Sequence, residues 1–283
     1  MLQLTEVQKN YKTFSLNCTL TVKPGQITGL IGPNGAGKST AFKAILNLIS
    51  IESGEIKVFG KPHREIGPGD REEIGVVLAE AGFSEYLTVA DIAAIMRGMY
   101  RRFDREQFLA NCGRFMLPKN KKIKEFSTGM KAKLKLLTAT SYGAKLLILD
   151  EPTLGLDVVV RDEMIAMLQE YMEADEGRSV LISSHISSDM EKFCDDLYMI
   201  NGGKIVLHEE TDVLLDAYGI LKLDEQAYAQ LDRRYILGGR RERYGYELLT
   251  NERQFYQENY PQLVVEKANI DNVITLLVKG DLR

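Results

Sequence analysis

The sequence predicts an α/β fold built on a mostly parallel sheet, and three observations predict it. Short apolar strand segments alternate with segments of helical period in both halves of the chain. One of these strands runs through a glycine-rich loop directly into a helix. Between them lies a stretch with helical periodicity only. Strands separated by helices pair in parallel and need apolar cover on both faces, so helices are expected on both sides of the sheet.

Taken in order, Leu2–Val7 and Asn17–Val22 alternate apolar and polar residues. Pro24-Gly25 turns the chain, and Gln26–Ile31 is a mostly apolar strand ending at Gly32. With Glu55–Val58, which follows a turn at Glu52-Ser53-Gly54, these segments form an N-terminal antiparallel β region. Thr40–Ile49 (TAFKAILNLI) repeats apolar residues at helical spacing, and Ile74–Leu78 (IGVVL) is a further strand. TVADIAAIMRGMY, DREQFLANCGRFM and STGMKAKLKLLTAT all carry faces of period 3.6, which predicts a helical subdomain over about residues 84–140. Strands return at Leu146–Leu149 and Val180–Ser183, with the helix Arg161–Met172 between them.

Past Asp216 the chain becomes polar and charge-rich, with Gly238-Gly239-Arg240-Arg241-Glu242-Arg243 at its centre and an amphipathic end, ANIDNVITLLVKG. The expected organisation is a main domain over residues 1–215 and a small C-terminal α+β appendage over 216–283. A module of roughly 65 residues seldom builds a sufficient core alone. It is expected to dock on the main domain or on a second copy, as an accessory or dimerisation module.

Composition narrows the function classes. The chain has 283 residues, 45% hydrophobic and 27% charged, as in ordinary globular proteins. A formal charge of −4 argues against a nucleic-acid binder, which shows a basic field. Cys18, Cys112 and Cys194 are odd in number and lack CxxC spacing, so they read as buried or indifferent thiols in a reducing compartment. The first residues alternate and do not form a signal peptide. No window approaches 18 apolar residues, so any membrane work requires a separate chain carrying the transmembrane helices.

Gly32-Pro33-Asn34-Gly35-Ala36-Gly37-Lys38-Ser39 fits G-x-x-x-x-G-K-[ST] at every fixed position, and Thr40 continues it into the helix. Glycines let backbone N–H groups converge on phosphate oxygens, and the following helix points its positive end at the anion. Lys38 supplies a charge to the β- and γ-phosphates, and the Ser39 hydroxyl is placed to ligate Mg²⁺. A chance match in this length is on the order of 1 in 100, and the strand–loop–helix context lowers it further. The loop alone does not separate kinases, GTPases, helicases and transport ATPases.

Leu146–Leu149 ends in two acids, Asp150 and Glu151. Carboxylates at the end of a buried strand are costly unless paired or bound to a metal. Beside a phosphate loop, Asp150 suits the Mg²⁺ shell, and Glu151 suits a general base that reaches the attacking water.

This arrangement resembles the ATP-binding-cassette (ABC) ATPases, and four further segments carry the resemblance over about residues 1–215. Phe126-Ser127-Thr128-Gly129-Met130 stands where that family has its Leu-Ser-Gly-Gly-Gln signature. Pro152-Thr153-Leu154-Gly155-Leu156-Asp157 follows Glu151 as the family's D-loop does, His185 matches its switch histidine, and Tyr11 stands where an aromatic ring meets adenine. The resemblance implies ATP and Mg²⁺ as cofactors and a site shared between two cassettes. Ser127, Thr128 and Gly129, at the start of a helix expected over Met130–Thr140, and Asp157 of one copy would complete the phosphate loop of the other. Thr128 and Met130 depart from the signature, while the serine and second glycine are retained. Where the family has its Q-loop glutamine this chain has Glu80, a carboxylate that can ligate Mg²⁺ but adds negative charge beside the phosphates.

The resemblance further implies an integral membrane permease subunit as partner, a peripheral place on the cytoplasmic face of the membrane, and no nucleic-acid partner. The permease would dock within Glu80–Arg102, with Phe83, Tyr86, Met96 and Met99 as apolar contacts. The signature form and the appended tail resemble bacterial ABC exporters of drugs, antimicrobial peptides or toxins. Two other readings stand beside it: a soluble ABC ATPase acting on nucleic acid or ribosomes, for which Arg240–Arg243 speaks, and a low-turnover nucleotide switch, for which Glu80 and the altered signature speak. His63 and His208 carry no supporting pattern and are expected at the surface.

Overall fold

The computed structural model describes residues 1–278 and 280–282. The N-terminal part contains β1 (Leu2–Asn10), β2 (Ser15–Val22), β3 (Ile27–Ile31), α1 (Lys38–Ile45), β4 (Ser53–Val58), β5 (Lys61–Pro62), α2 (Pro68–Arg71) and β6 (Ile74–Val77). Three helices follow: α3 (Val89–Met99), α4 (Arg105–Arg114) and α5 (Thr128–Thr140). Each starts on a side chain the sequence supplies for the purpose, Thr88 with Asp91 in a capping box, Asp104, and Ser127. The alternation then resumes with β7 (Leu146–Asp150), α6 (Val158–Glu173), β8 (Ser179–Ser184), α7 (Ser187–Phe193), β9 (Asp196–Asn201), β10 (Lys204–Glu210) and α8 (Thr211–Ala217).

These strands form one ten-stranded sheet in the order β5-β4-β1-β2-β10-β9-β3-β8-β7-β6. From β9 to β6 every pairing is parallel, and β1 pairs antiparallel with both β2 and β4. The expected antiparallel region is therefore continuous with the parallel core, joined where Lys204 meets Asn17. Strands β3, β7 and β8 are buried along their whole length, as strands covered on both faces must be.

Strand alternation divides the core. Leu147, Leu149, Val180 and Ile182 pack with α3–α7, whereas Leu146, Ile148 and Leu181 pack with α1 and the antiparallel strands. The ends of β7 and β8 are thus gripped from both sides, which fixes the loops that leave them.

The C-terminal part adds β11 (Gly219–Leu223), α9 (Glu225–Gln230), β12 (Ile236–Glu242), β13 (Gly245–Thr250), α10 (Arg253–Asn259), β14 (Val264–Lys267) and α11 (Ile270–Val278). Its sheet is wholly antiparallel, in the order β12-β13-β11-β14. One face carries a small core around Leu221, Tyr246, Leu248 and Tyr256. The amphipathic end forms α11, which packs on α7 and joins Ile270, Val273 and Leu276 to the core that contains Met190. The backbone N–H of Ile270 also donates to Glu191 Oε1 at 2.9 Å. Position 216 lies inside α8, so the main sheet and the tail are bridged by a helix.

Several expectations change in three dimensions. The helix read as Met130–Thr140 begins at Thr128, because Ser127 caps it by accepting the Met130 N–H. His63 is buried, and burial lowers its pKa; it is not a surface residue. His208 is exposed, as expected, and there stacks on Tyr198 and pairs with Asp196 at 2.8 Å. Arg240 pairs with Glu242 and Glu247, and Arg241 with Glu225, so most of the arginine cluster is neutralised within the tail. All three cysteines are buried, and burial pushes the Cys18 thiol up to about 12.

The docking of α11 has a measurable weight. Ile270 is fully buried, and Ile270→Ala should cost about 2–4 kcal/mol in a denaturant melt. Tyr244, which is 84% exposed, should tolerate the same truncation within about 0.5 kcal/mol. Equal effects would mean that α11 does not hold the tail in place.

Candidate active site

The loop Gly32–Ser39 leaves the carboxyl end of β3 and enters α1. Its backbone turns left-handed at Gly35 (φ 79°) and Gly37 (φ 116°), where side chains are strained. Gly32 meets another demand: a Cβ there would lie 2.2 Å from the Ile200 carbonyl oxygen. No side chain caps the amino end of α1, and its first turn has no acid. The helix therefore offers free N–H groups and its positive end to an anion. Beside it lies a cavity of about 400 Å³ lined by Asn34–Thr40, Phe14, Glu151, Leu154 and His185.

Lys38 is buried and donates from Nζ to the Gly32 carbonyl at 2.7 Å. The same ammonium lies 3.3 Å from Glu151 Oε1. The other oxygen, Oε2, lies 2.7 Å from His185 Nδ1 and accepts the His185 backbone N–H at 3.3 Å. Three residues from three distant segments thus meet at one carboxylate. Glu151 has a left-handed backbone (φ 49°), a conformation that costs a non-glycine residue roughly 1–3 kcal/mol and collects at functional sites.

Ser183 holds this corner together. Its hydroxyl accepts the Glu151 N–H at 3.0 Å and donates to Asp150 Oδ1 at 2.7 Å. The two strands put Asp150 and Ser183 in register, so the buried Asp150 carboxylate finds its partner across the ladder. Sequence reasoning passes over Ser183. The available signal was a hydroxyl ending the apolar strand SVLISS beside an acid ending LLILD.

For a hard divalent cation the nearby protein donors are the Ser39 hydroxyl, which lines the cavity, and the Asp150 carboxylate next to Glu151. Among the described residues no three His, Cys, Asp or Glu side chains cluster as a metal cage. Two oxygen donors fit Mg²⁺, which keeps water and phosphate oxygens as its remaining ligands. Glu80 does not line the phosphate-loop cavity. Its side chain is 88% exposed, 3.6 Å from Lys43 Nζ, and lines an adjoining cleft with Thr128, Asp150 and Glu151.

The aromatic expectation also shifts. Tyr11 is half exposed, and Phe14, whose ring centroid is 6.3 Å away, is the ring that lines the cavity. A Cβ on Gly37 would come within 2.9 Å of Phe14 Cζ, so the loop is seated against that ring. Both residues lie at or beside the turn between β1 and β2, where Tyr11 N–H donates to the Phe14 carbonyl at 2.7 Å.

The remaining predicted residues sit elsewhere. Ser127 caps α5, Thr128 opens it, and a Cβ on Gly129 would lie 3.0 Å from Val160 in α6. Asp157 caps α6 by accepting the Val160 N–H at 3.0 Å. The signature segment and the start of α6 thus abut each other. Among the described residues, none of Ser127, Thr128, Gly129 and Asp157 lines the cavity of the phosphate loop.

Known proteins resemble this chain in sequence and in fold. The sequence model of the family described as "ABC transporter" matches residues 16–154. The "Lantibiotic transport ATP-binding protein SrtF" of Streptococcus pyogenes is 34% identical over 216 residues, 75% of this chain and 92% of that one. The "Nod factor export ATP-binding protein I" of Cupriavidus metallidurans is 30% identical over 225 residues, covering 77% of this chain and 73% of its own length. In fold, the chain resembles the ATP-binding cassette MJ0796, solved as a dimer bound to ADP and Pi. That match has a TM-score of 0.66 and 21% identity over 75% of this chain and 99% of the other. The phosphate loop, the paired acids and the relatives converge: the chain belongs to the ABC transporter family, as one of its ATP-binding and ATP-hydrolysing subunits.

Proposed function

We propose that this subunit drives export through a separate membrane-embedded permease, in pairs whose two active sites are each completed by the opposite chain. The observation that carries the reading is the one-sided cavity. It gathers Lys38, Glu151 and His185 on the phosphate loop but none of Ser127, Thr128, Gly129 and Asp157. A second cassette supplies that missing wall, and the dimeric form of the related MJ0796 cassette supports the arrangement. The export direction draws support from the Nod factor relative. In this reading the chain sits peripherally on the cytoplasmic face; no helix among the described residues is long and apolar enough to cross a membrane. Residues 1–215 do the ATPase work, and 216–283 act as an accessory module seated on α7.

The geometry supports the following roles. Asn34–Thr40 cradle the phosphate chain, with Gly32 and Pro33 shaping the entry, and Phe14 beside Tyr11 offers an aromatic surface to adenine. Lys38 exchanges Gly32 and Glu151 for phosphate oxygens, which frees Glu151 Oε1 to accept the proton of the attacking water. His185 keeps the other oxygen in place and faces the γ-phosphate. Ser39 and Asp150 would hold Mg²⁺, which would supply positive charge to offset that of the phosphates. Across the interface, Ser127 and the Gly129 N–H at the amino end of the partner's α5 meet the same γ-phosphate. ATP then binds the two chains together, and hydrolysis releases them.

A groove of about 470 Å³ offers the docking surface for the permease. Phe83, Ile95, Met96 and Met99 line it within the expected 80–102 segment, and Met99 is 62% exposed. Met96 itself is buried and belongs to the wall, while Tyr86 is exposed but lies outside the lining. The groove's charged lining residues are Arg71 and Lys135, with His63 buried beneath and no acid among the described residues. Burial first, and then Lys131, lowers the pKa of Lys135, so its ammonium gains from a carboxylate partner. The permease segment that fits is an amphipathic helix with apolar anchors and an acidic residue.

Two outcomes test these roles. Glu151→Gln should lower ATP hydrolysis by about 10²–10⁴-fold and, with ATP and Mg²⁺, run as a dimer in gel filtration. A strictly monomeric, ATP-saturated variant would contradict the paired site. Arg71→Glu should leave the ATPase of the free subunit unchanged and weaken co-purification with a co-expressed permease subunit, with undiminished capture as the contrary result.

A further inference from the structure

Helix α7 begins two residues after His185, and its Asp189 is 1% exposed. A carboxylate at that depth is costly unless its oxygens are partnered. Asp189 Oδ2 accepts the Thr153 hydroxyl at 3.2 Å and lies 3.5 Å from Arg161 Nε. Thr153 is buried in the turn directly after Glu151, and Arg161, in the first turn of α6, also donates to the Leu156 carbonyl at 3.4 Å. One carboxylate therefore ties together the turn after Glu151, the start of α6 and the helix after His185.

The same two segments meet twice. Glu151 touches His185 at 2.7 Å, and Thr153, two residues on, touches Asp189, four residues past His185. The two contacts close a ring through Pro152 and the first residues of α7. Both contacts between His185 and Glu151 converge on one oxygen, Oε2, and leave the segments free to pivot about it; a further contact a few residues away fixes the angle as well. Glu151 has most need of this, because its left-handed backbone has no intrinsic preference to stay where it is.

We propose that Asp189 is a positioning residue for ATP hydrolysis. Through Thr153 it holds the turn after Glu151 against α7, so that the Glu151 carboxylate and the His185 ring stay in register when Lys38 turns to phosphate. It touches neither nucleotide nor reacting atoms, and its effect rests on the reading of Glu151 as the general base.

The test uses the full chain. Thr153→Val removes the hydroxyl at constant volume, Thr153→Ser keeps it, and Asp189→Asn keeps the shape while removing the charge. Thr153→Val and Asp189→Asn should lower kcat for ATP about 10-fold or more while KM for ATP stays near wild type and the chain remains folded at the assay temperature. Thr153→Ser should restore the rate. Placed on Glu151→Gln, Thr153→Val should cost nothing further, because the group it positions has gone. An unchanged kcat, or an equal loss in both backgrounds, overturns the proposal. Should Asp189→Asn fail to fold, the Thr153 pair decides alone. Rapid hydrolysis by Glu151→Gln itself would instead refute the underlying role of Glu151, a separate outcome.

Discussion

The two oxygens of Glu151 are held by Lys38 on one side and His185 on the other, and the rest of the site is arranged around that constraint. The carboxylate joins the phosphate loop to the loop after β8, so neither can move without changing the surroundings of the other. Its backbone is strained, and support comes from Ser183 across the ladder and from the packed ends of β7 and β8. A buried sheet with apolar cover on both faces is what makes such precision available. Leu147 and Leu149 are anchored to the helical layer, and Leu146 and Ile148 to α1 and the antiparallel strands.

The surfaces that face other molecules are built from the opposite material. The amino ends of α1 and α5 present backbone donors, and the groove beside α3 presents apolar side chains with two cations. These are surfaces to be covered by phosphate, a second chain and a membrane partner. The tail contributes differently. It seats α11 on α7, the helix that also carries Asp189, and so adds mass to the element that follows His185.

Much of this was legible in the sequence because it is local. The phosphate loop, the strand ending in Asp150 and Glu151, the helical middle and the amphipathic character of the chain's end all follow from spacing along a few turns of chain. What was not legible depends on contacts between distant segments. Phe14 and Tyr11 are both aromatic residues close to one turn, and only the packing of Gly37 against Phe14 separates them. Ser183 matters because of its register with Asp150, and Asp189 because Thr153 faces it. His63 is buried by elements that its neighbours do not reveal, and the arginines of the tail find carboxylates on other strands and helices.

A mixing experiment tests the shared site most directly. Lys38→Ala disables the phosphate loop, and Ser127→Asp keeps the cap of α5 while setting a negative charge where the γ-phosphate of the opposite chain would lie. Each variant alone should be inactive in ATP hydrolysis. In a mixed dimer one site combines both defects, while the other joins an intact loop to an intact signature. The account predicts that mixing restores hydrolysis that neither variant shows alone. No recovery, with mixed dimers demonstrably formed, would mean that each chain completes its own site.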